Sequence, residues 1–172
     1  MALRVLQSEA GRAHAFAGAL LSAPALKVDP TVDTAFNRWL GLTLTRILPK
    51  LPVAPLAAHK LCTDASVVEA YKRDPLVYHG SIRVRTGAEV MLSIETAFAE
   101  APDTRTRIFI AHGGADAICP IDGSRKLVDV MAGRATLTEY ANAFHEILQE
   151  PAVAARVTED AIAWINARLN ES

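Results

Sequence analysis

The feature that most constrains this chain is a short apolar run that stops at paired glycines. Residues 107–111 read Arg-Ile-Phe-Ile-Ala and lead into His112-Gly113-Gly114-Ala115-Asp116. A short apolar run that ends in paired glycines predicts a strand leading into a tight turn. A second run, from Ala15 to Ala23, closes on Ser22-Ala23-Pro24, and its continuous rather than alternating apolarity predicts a strand covered on both faces. Residues 135–140 alternate and predict a third. Helical periodicity separates and follows these runs over 86–100, 124–131 and about 152–169. A short helix is expected from Ala2 to about Glu9, stopped by Gly11. Strand, helix, strand, loop, helix is the order that builds a parallel sheet with helices on its faces, so the fold class is α/β.

Residues 27–82 break that alternation. Pro30, Pro49, Pro52, Pro55 and Pro75 punctuate them, and an amphipathic stretch from Thr34 to Leu48 carries Phe36, Trp39, Leu40, Leu44, Ile47 and Leu48. The expectation is a helical insertion within a single domain spanning 1–172, since 172 residues leave no room for two domains of ordinary size.

Composition removes several classes of function. Lys and Arg total 18 against 19 Asp and Glu, a formal net charge of −1, so no positive field draws a phosphate backbone and nucleic acid is not an expected partner. The two cysteines, Cys62 and Cys119, form no Cys-x-x-Cys and no Cys/His ligand spacing, which excludes a disulfide framework and a structural zinc site and suits a reducing compartment. No metal or organic cofactor is expected. The apolar stretch from Ala13 to Leu26 is interrupted by His14 and too short to span a bilayer, and the first residues lack a basic block followed by an apolar core. No transmembrane segment and a cytoplasmic location are therefore expected.

In sheets of this kind ligands sit at the carboxyl ends of the strands. Ser22, Asp116 and His145 fall there. Asp116 follows one strand and two glycines, and His145 follows the next strand 29 residues later. A carboxylate and an imidazole on neighbouring strand ends can share a hydrogen bond that fixes the tautomer and frees the other ring nitrogen for a nucleophile. Taken singly, Asp116 reads more readily as a turn cap and His145 as an ordinary loop histidine; their order and spacing favour the pair. His79 and His112 read as structural, with His112 bonded inside its own turn.

Four stretches resemble the C-terminal part of the monoacylglycerol lipase and lysophospholipase family of α/β-hydrolases. Residues 20–26 (Leu-Leu-Ser-Ala-Pro-Ala-Leu) resemble the strand after the nucleophile helix. Residues 74–80 (Asp-Pro-Leu-Val-Tyr-His-Gly) resemble the end of that family's cap. Gly113 to Asp116 resembles the turn bearing the triad acid. Residues 144–148 (Phe-His-Glu-Ile-Leu), with Glu150-Pro151, resemble the segment bearing the triad histidine. The similarity runs from Ala2 to Ile165. It implies a partial α/β-hydrolase fold with a reduced parallel sheet and a helical cap over 27–82. It also implies a serine hydrolase acting on a small lipid or ester, with His145 as general base, Asp116 orienting it, and Trp39, Leu40, Leu44 and Ile47 as the cap's acyl-facing residues. The same stripe reads equally as a helix packing on the domain.

The sequence departs from that family at the nucleophile. None of its serines lies in Gly-x-Ser-x-Gly, and Met1-Ala2-Leu3-Arg4 matches the helix just downstream of the family's nucleophile turn. The expectation is a chain that begins a few residues after the serine. Two substitutes stand out. Ser22 ends the strand nearest the gap, where it reads also as a strand-end hydrogen-bonder. Cys119, three residues past Asp116, is a thiol within range of activation by His145, or simply a small semi-buried side chain. Cys62, in the insertion, has no evident reason to approach His145. A strand deprived of one neighbour exposes an edge that invites pairing, so homo-oligomerisation through that edge is expected. Two functions stay open: an acyl-ester hydrolase, and a non-catalytic truncated remnant that binds acyl chains or self-associates.

Overall fold

A computed structural model of the chain describes residues 2–14, 16–28, 41 and 43–170. Helix α1 (Ala2–Gln7) places Leu3 and Leu6 in the core. Helix α2 (Glu9–Ala13) follows after a single residue, Ser8, whose hydroxyl oxygen caps it by accepting the Gly11 N–H at 3.1 Å. The expected stop at Gly11 is thus corrected: the glycine lies inside a second short helix. A side chain there would collide with the Val5 carbonyl of the helix before it, and only hydrogen allows the two helices to turn so sharply.

Strand β1 (Ala19–Ser22) is shorter than the apolar run that announced it. Gly18 lies directly under the Trp164 ring, and Ala23 turns out of the strand with a φ of 40°. Only Leu21 of this strand is deeply buried; Leu20 is 43% exposed, so cover on both faces is not realised for β1.

Residues 43–47 are helical. Residue 41 is helical as well and Leu48 lies past the helix, while positions 34–40 and 42 of the expected helix, with Trp39 and Leu40, lie outside the described residues. Strand β2 (Pro52–Ala54) pairs antiparallel with β3 (Ile82–Arg83), closing this segment as a small ribbon that the proline pattern did not predict. Pro52 is tolerated because it opens its strand. Between them runs helix α3 (Ala65–Arg73), capped by Asp64, whose carboxylate accepts the Ser66 N–H at 2.7 Å.

Helix α4 (Val84–Glu100) returns the chain to the sheet. Strand β4 (Ile108–Gly113) is buried at all six positions and forms the middle of the three-stranded sheet, in order β1-β4-β5. Helix α5 (Asp122–Val130) crosses over to strand β5 (Ala135–Tyr140), and helix α6 (Ala154–Leu169) ends the described chain. Both pairings are parallel, with Ile110 facing Leu21 on one side and Leu137 on the other.

Side chains alternate across β4 and divide the core in two. Ile108 and Ile110 join Leu3, Leu6, Ala97, Leu127 and Met131 on the face covered by α1, α4 and α5. Phe109 and Ala111 meet Tyr140, Ile147 and Val157 on the face covered by α6, where Trp164 packs against Phe109 with ring centroids 6.0 Å apart. No helix among the described residues is long and apolar enough to cross a membrane.

Candidate active site

The paired glycines after β4 are where the site is assembled. A Cβ on Gly113 would collide with the carbonyl oxygens of Ala143 and Phe144, so glycine lets the loop after β5 cross the strand end at van der Waals range. Two backbone bonds fasten the crossing: Gly114 N–H to Tyr140 O at 2.8 Å and Ala115 N–H to Ala143 O at 3.0 Å. The next residue of one loop is Asp116, and the next but one of the other is His145.

The structure brings these two together. His145 Nδ1 lies 2.8 Å from Asp116 Oδ2. Asp116 is fully buried at its side chain, and its other oxygen, Oδ1, accepts the N–H groups of Ile118 at 2.8 Å and Cys119 at 2.9 Å. A second imidazole completes the shell. His112 Nε2 lies 3.2 Å from Asp116 Oδ2 and 2.8 Å from the Cys119 carbonyl oxygen. Both are acceptors, so the proton is on Nε2, and Nδ1 takes the hydroxyl proton of buried Ser124 at 2.8 Å. The expectation for His112 stopped at a bond within its turn; its contact with Asp116 and its reach to α5 were missed, and an apolar run ending in His carries no signal for either.

Four donors on one carboxylate set the charges. Burial pushes the Asp116 carboxyl upward, but the bonds from His112, His145 and the two backbone amides outweigh it and hold the group far below the usual carboxylate range. His145 moves the other way. Its bond to Asp116, with the Cys119 thiol as a further hydrogen-bonding neighbour, outweighs partial burial and raises it from 6.5 to about 10.

The other predicted residues are placed as follows. Cys119 is buried and adjoins His145 through its thiol while its backbone serves Asp116 and His112. Ser22 ends β1 beside Ala111 and makes no hydrogen bond to His145. Leu44 is half-buried and Ile47 is 71% exposed. An apolar cavity of about 780 Å³ lies between Ala25, Pro49, Arg83 and the α4 residues Val90 and Ile94; Leu44 and Ile47 do not line it, nor does His145. Among the described residues no group of three His, Cys, Asp or Glu side chains is placed to hold a metal ion.

Sequence reasoning also missed the contact between residues 61–63 and the histidine loop. Cys62, for which no approach to His145 is expected, donates its thiol to Gln149 O at 3.5 Å, four residues beyond that histidine, and burial raises that thiol.

A parallel sheet whose adjoining strand ends present a buried carboxylate to a histidine, with helices on both faces, defines the α/β-hydrolase class. Comparison with known proteins gives the family. The model of the Hydrolase_4 family, described as serine aminopeptidase, S33, matches residues 1–152, and the chain belongs to that family. It is 31% identical over 160 residues to the monoacylglycerol lipase of Mycolicibacterium smegmatis, covering 90% of this chain and 55% of that protein. It is 25% identical over 155 residues to the monoglyceride lipase of Homo sapiens, covering 89% of this chain and 51% of that one. The crystal structure of Paleococcus ferrophilus monoacylglycerol lipase superposes with a TM-score of 0.84 at 28% identity, over 97% of this chain and 64% of that chain. The present chain thus spans about half the length of the curated relatives it matches.

Proposed function

We propose that this chain carries the histidine and acid of an acyl-ester hydrolase of the monoacylglycerol lipase type, acting on a small lipid or ester. His145 is the general base and Asp116 its orienting partner; residues 27–82 form a cap. The observation that carries the reading is the 2.8 Å contact between Nδ1 and Oδ2. It commits Nδ1 to the carboxylate and leaves Nε2, on a side chain 23% exposed, for the proton of a nucleophile.

In that chemistry Nε2 accepts the nucleophile's proton as the nucleophile attacks the ester carbonyl. The imidazolium then gives the proton to the departing alcohol, and water repeats the cycle to free the acid. Asp116 stabilises the imidazolium throughout. Because it also holds the resting proton on His145, the neutral ring accumulates only as pH rises toward about 10, and hydrolysis is expected to rise with it. Gly-x-Ser-x-Gly does not occur in this sequence. Of the two substitutes, Cys119 adjoins the imidazole and Ser22 does not bond to it.

The test is hydrolysis of a short p-nitrophenyl ester by the chain and by its His145→Ala variant. A loss of about a hundredfold, the usual contribution of a general base, is expected. Equal rates overturn the assignment. Labelling with a fluorophosphonate probe and peptide mapping identifies a serine nucleophile, and a thiol-selective probe tests Cys119 in the same way.

A further inference from the structure

The segment that carries His145 has no helix or strand of its own between β5 and α6, so something else must hold the ring in register. The structure shows what does. Glu150 is buried to 2% exposure, and every partner of its carboxylate is a donor. Oε1 accepts the Phe144 N–H at 3.1 Å, from the residue immediately before His145. It also accepts the Thr63 N–H at 2.9 Å, and Oε2 accepts the Thr63 hydroxyl at 2.5 Å. Thr63 is 87 residues away in sequence, in the segment proposed as the cap. The neighbouring contacts repeat the connection. Glu146 N–H, on the other side of His145, donates to Leu61 O at 2.8 Å, and the Cys62 thiol reaches Gln149 O.

Residues 61–63 therefore grip the histidine loop on both sides of His145. Among the described residues Glu150 is the charged side chain that bonds both Phe144 in the loop and Thr63. On the α6 side Ile147 is fully buried among Phe109, Tyr140 and Val157, and the Glu150 carbonyl accepts the Ala154 N–H at 2.9 Å; these contacts resist displacement of the loop but do not touch the ring.

We infer that Glu150 is a positioning residue, clamping the His145 loop to residues 61–63 through Thr63, so that the seating of residues 61–63 governs whether the imidazole meets Asp116. The functional weight of this inference rests on the proposed role of His145; the coupling itself does not. If residues 61–63 lift, Glu150 loses both Thr63 donors and keeps the Phe144 N–H, and a buried carboxylate so depleted does not hold its place.

The test uses the whole chain with Thr63→Val, which is isosteric but lacks the hydroxyl, and Thr63→Ser, which keeps the hydroxyl and lacks the methyl, with Glu150→Gln as a further variant. The readouts are the low-field Nδ1–H resonance of His145, which reports its bond to Asp116, and amide exchange at Phe144 and Glu146. Thr63→Val is expected to broaden or abolish the resonance and to speed exchange at both amides by roughly tenfold, while Thr63→Ser, which keeps the hydroxyl, preserves both. The fold is checked by exchange at Ile110, which should not move. Wild-type values in Thr63→Val and Glu150→Gln together overturn the clamp. An altered His145 signal in Thr63→Val, alongside equal ester hydrolysis by wild type and His145→Ala, supports the clamp and removes only the catalytic reading.

Discussion

Asp116 receives four hydrogen bonds on two oxygens, and the two imidazoles among them differ in what they can do. His112 is completely buried between Cys119, Ser124 and Asp116 and has no exposed nitrogen to offer. His145 keeps one nitrogen beyond the carboxylate. Replacing Asp116 by Asn removes the carboxylate hydrogen-bond acceptor that raises His145, so the His145 titration, followed by imidazole NMR, is expected to fall from about 10 toward 6.5. The sign for stability follows. A base raised in the folded state stabilises it fully below its ordinary value of 6.5, and the contribution fades as pH rises through about 10. The lowered Asp116 carboxyl contributes above its ordinary 3.8 and loses that contribution only in strong acid. Urea midpoints of wild type and Asp116→Asn should therefore differ most between pH 3.8 and 6.5, where both contributions are complete, and the difference should narrow without vanishing as pH rises through about 10. Gly113 is the other decisive residue. Gly113→Ala drives a methyl into the carbonyls of Ala143 and Phe144, and a loss of about 2–3 kcal/mol is expected from thermal or urea unfolding.

At the level of elements, β4 holds the molecule together because, among the described strands, it alone has a neighbour on each edge and a layer on each face. Ile110→Ala is expected to cost about 2–5 kcal/mol by urea unfolding, the usual range for emptying a buried aliphatic site. Leu76→Ala, at a side chain 93% exposed, should change stability by less than about 0.5 kcal/mol. The same burial explains which elements the sequence announces. Residues 135–140 and the long helices have apolar spacings that survive because a continuous layer covers one side of each. The β2–β3 ribbon is two and three residues long, joins positions some thirty apart, and exposes most of its side chains, so nothing in its local pattern demands a strand. Ser8 shows a subtler limit: its cap divides two helices that periodicity alone merges.

For the molecule as a whole, β1 and β5 are the two edges of the sheet among the described residues, and Leu20 lies exposed on the first. Pairing of a second copy along β1 is the expected route of self-association. Light scattering should show a concentration-dependent rise in mass, and Leu20→Lys should reduce it; a monomer at all concentrations rejects that route. The candidate site is a property of this same scale. The residue types and their order along the chain, an acid after two glycines and a histidine after the next strand, were determined by the sequence itself, because chain order and apolar run length are local and each strand end carries its loop with it. Only the tertiary structure decided that Nδ1 meets Oδ2, that a second imidazole serves the same carboxylate, and that Thr63 reaches across to Glu150. Those contacts join residues far apart in the chain, and their geometry depends on how closely two loops can approach, which is set by packing around Gly113 and Ile147 rather than by any pattern within either loop.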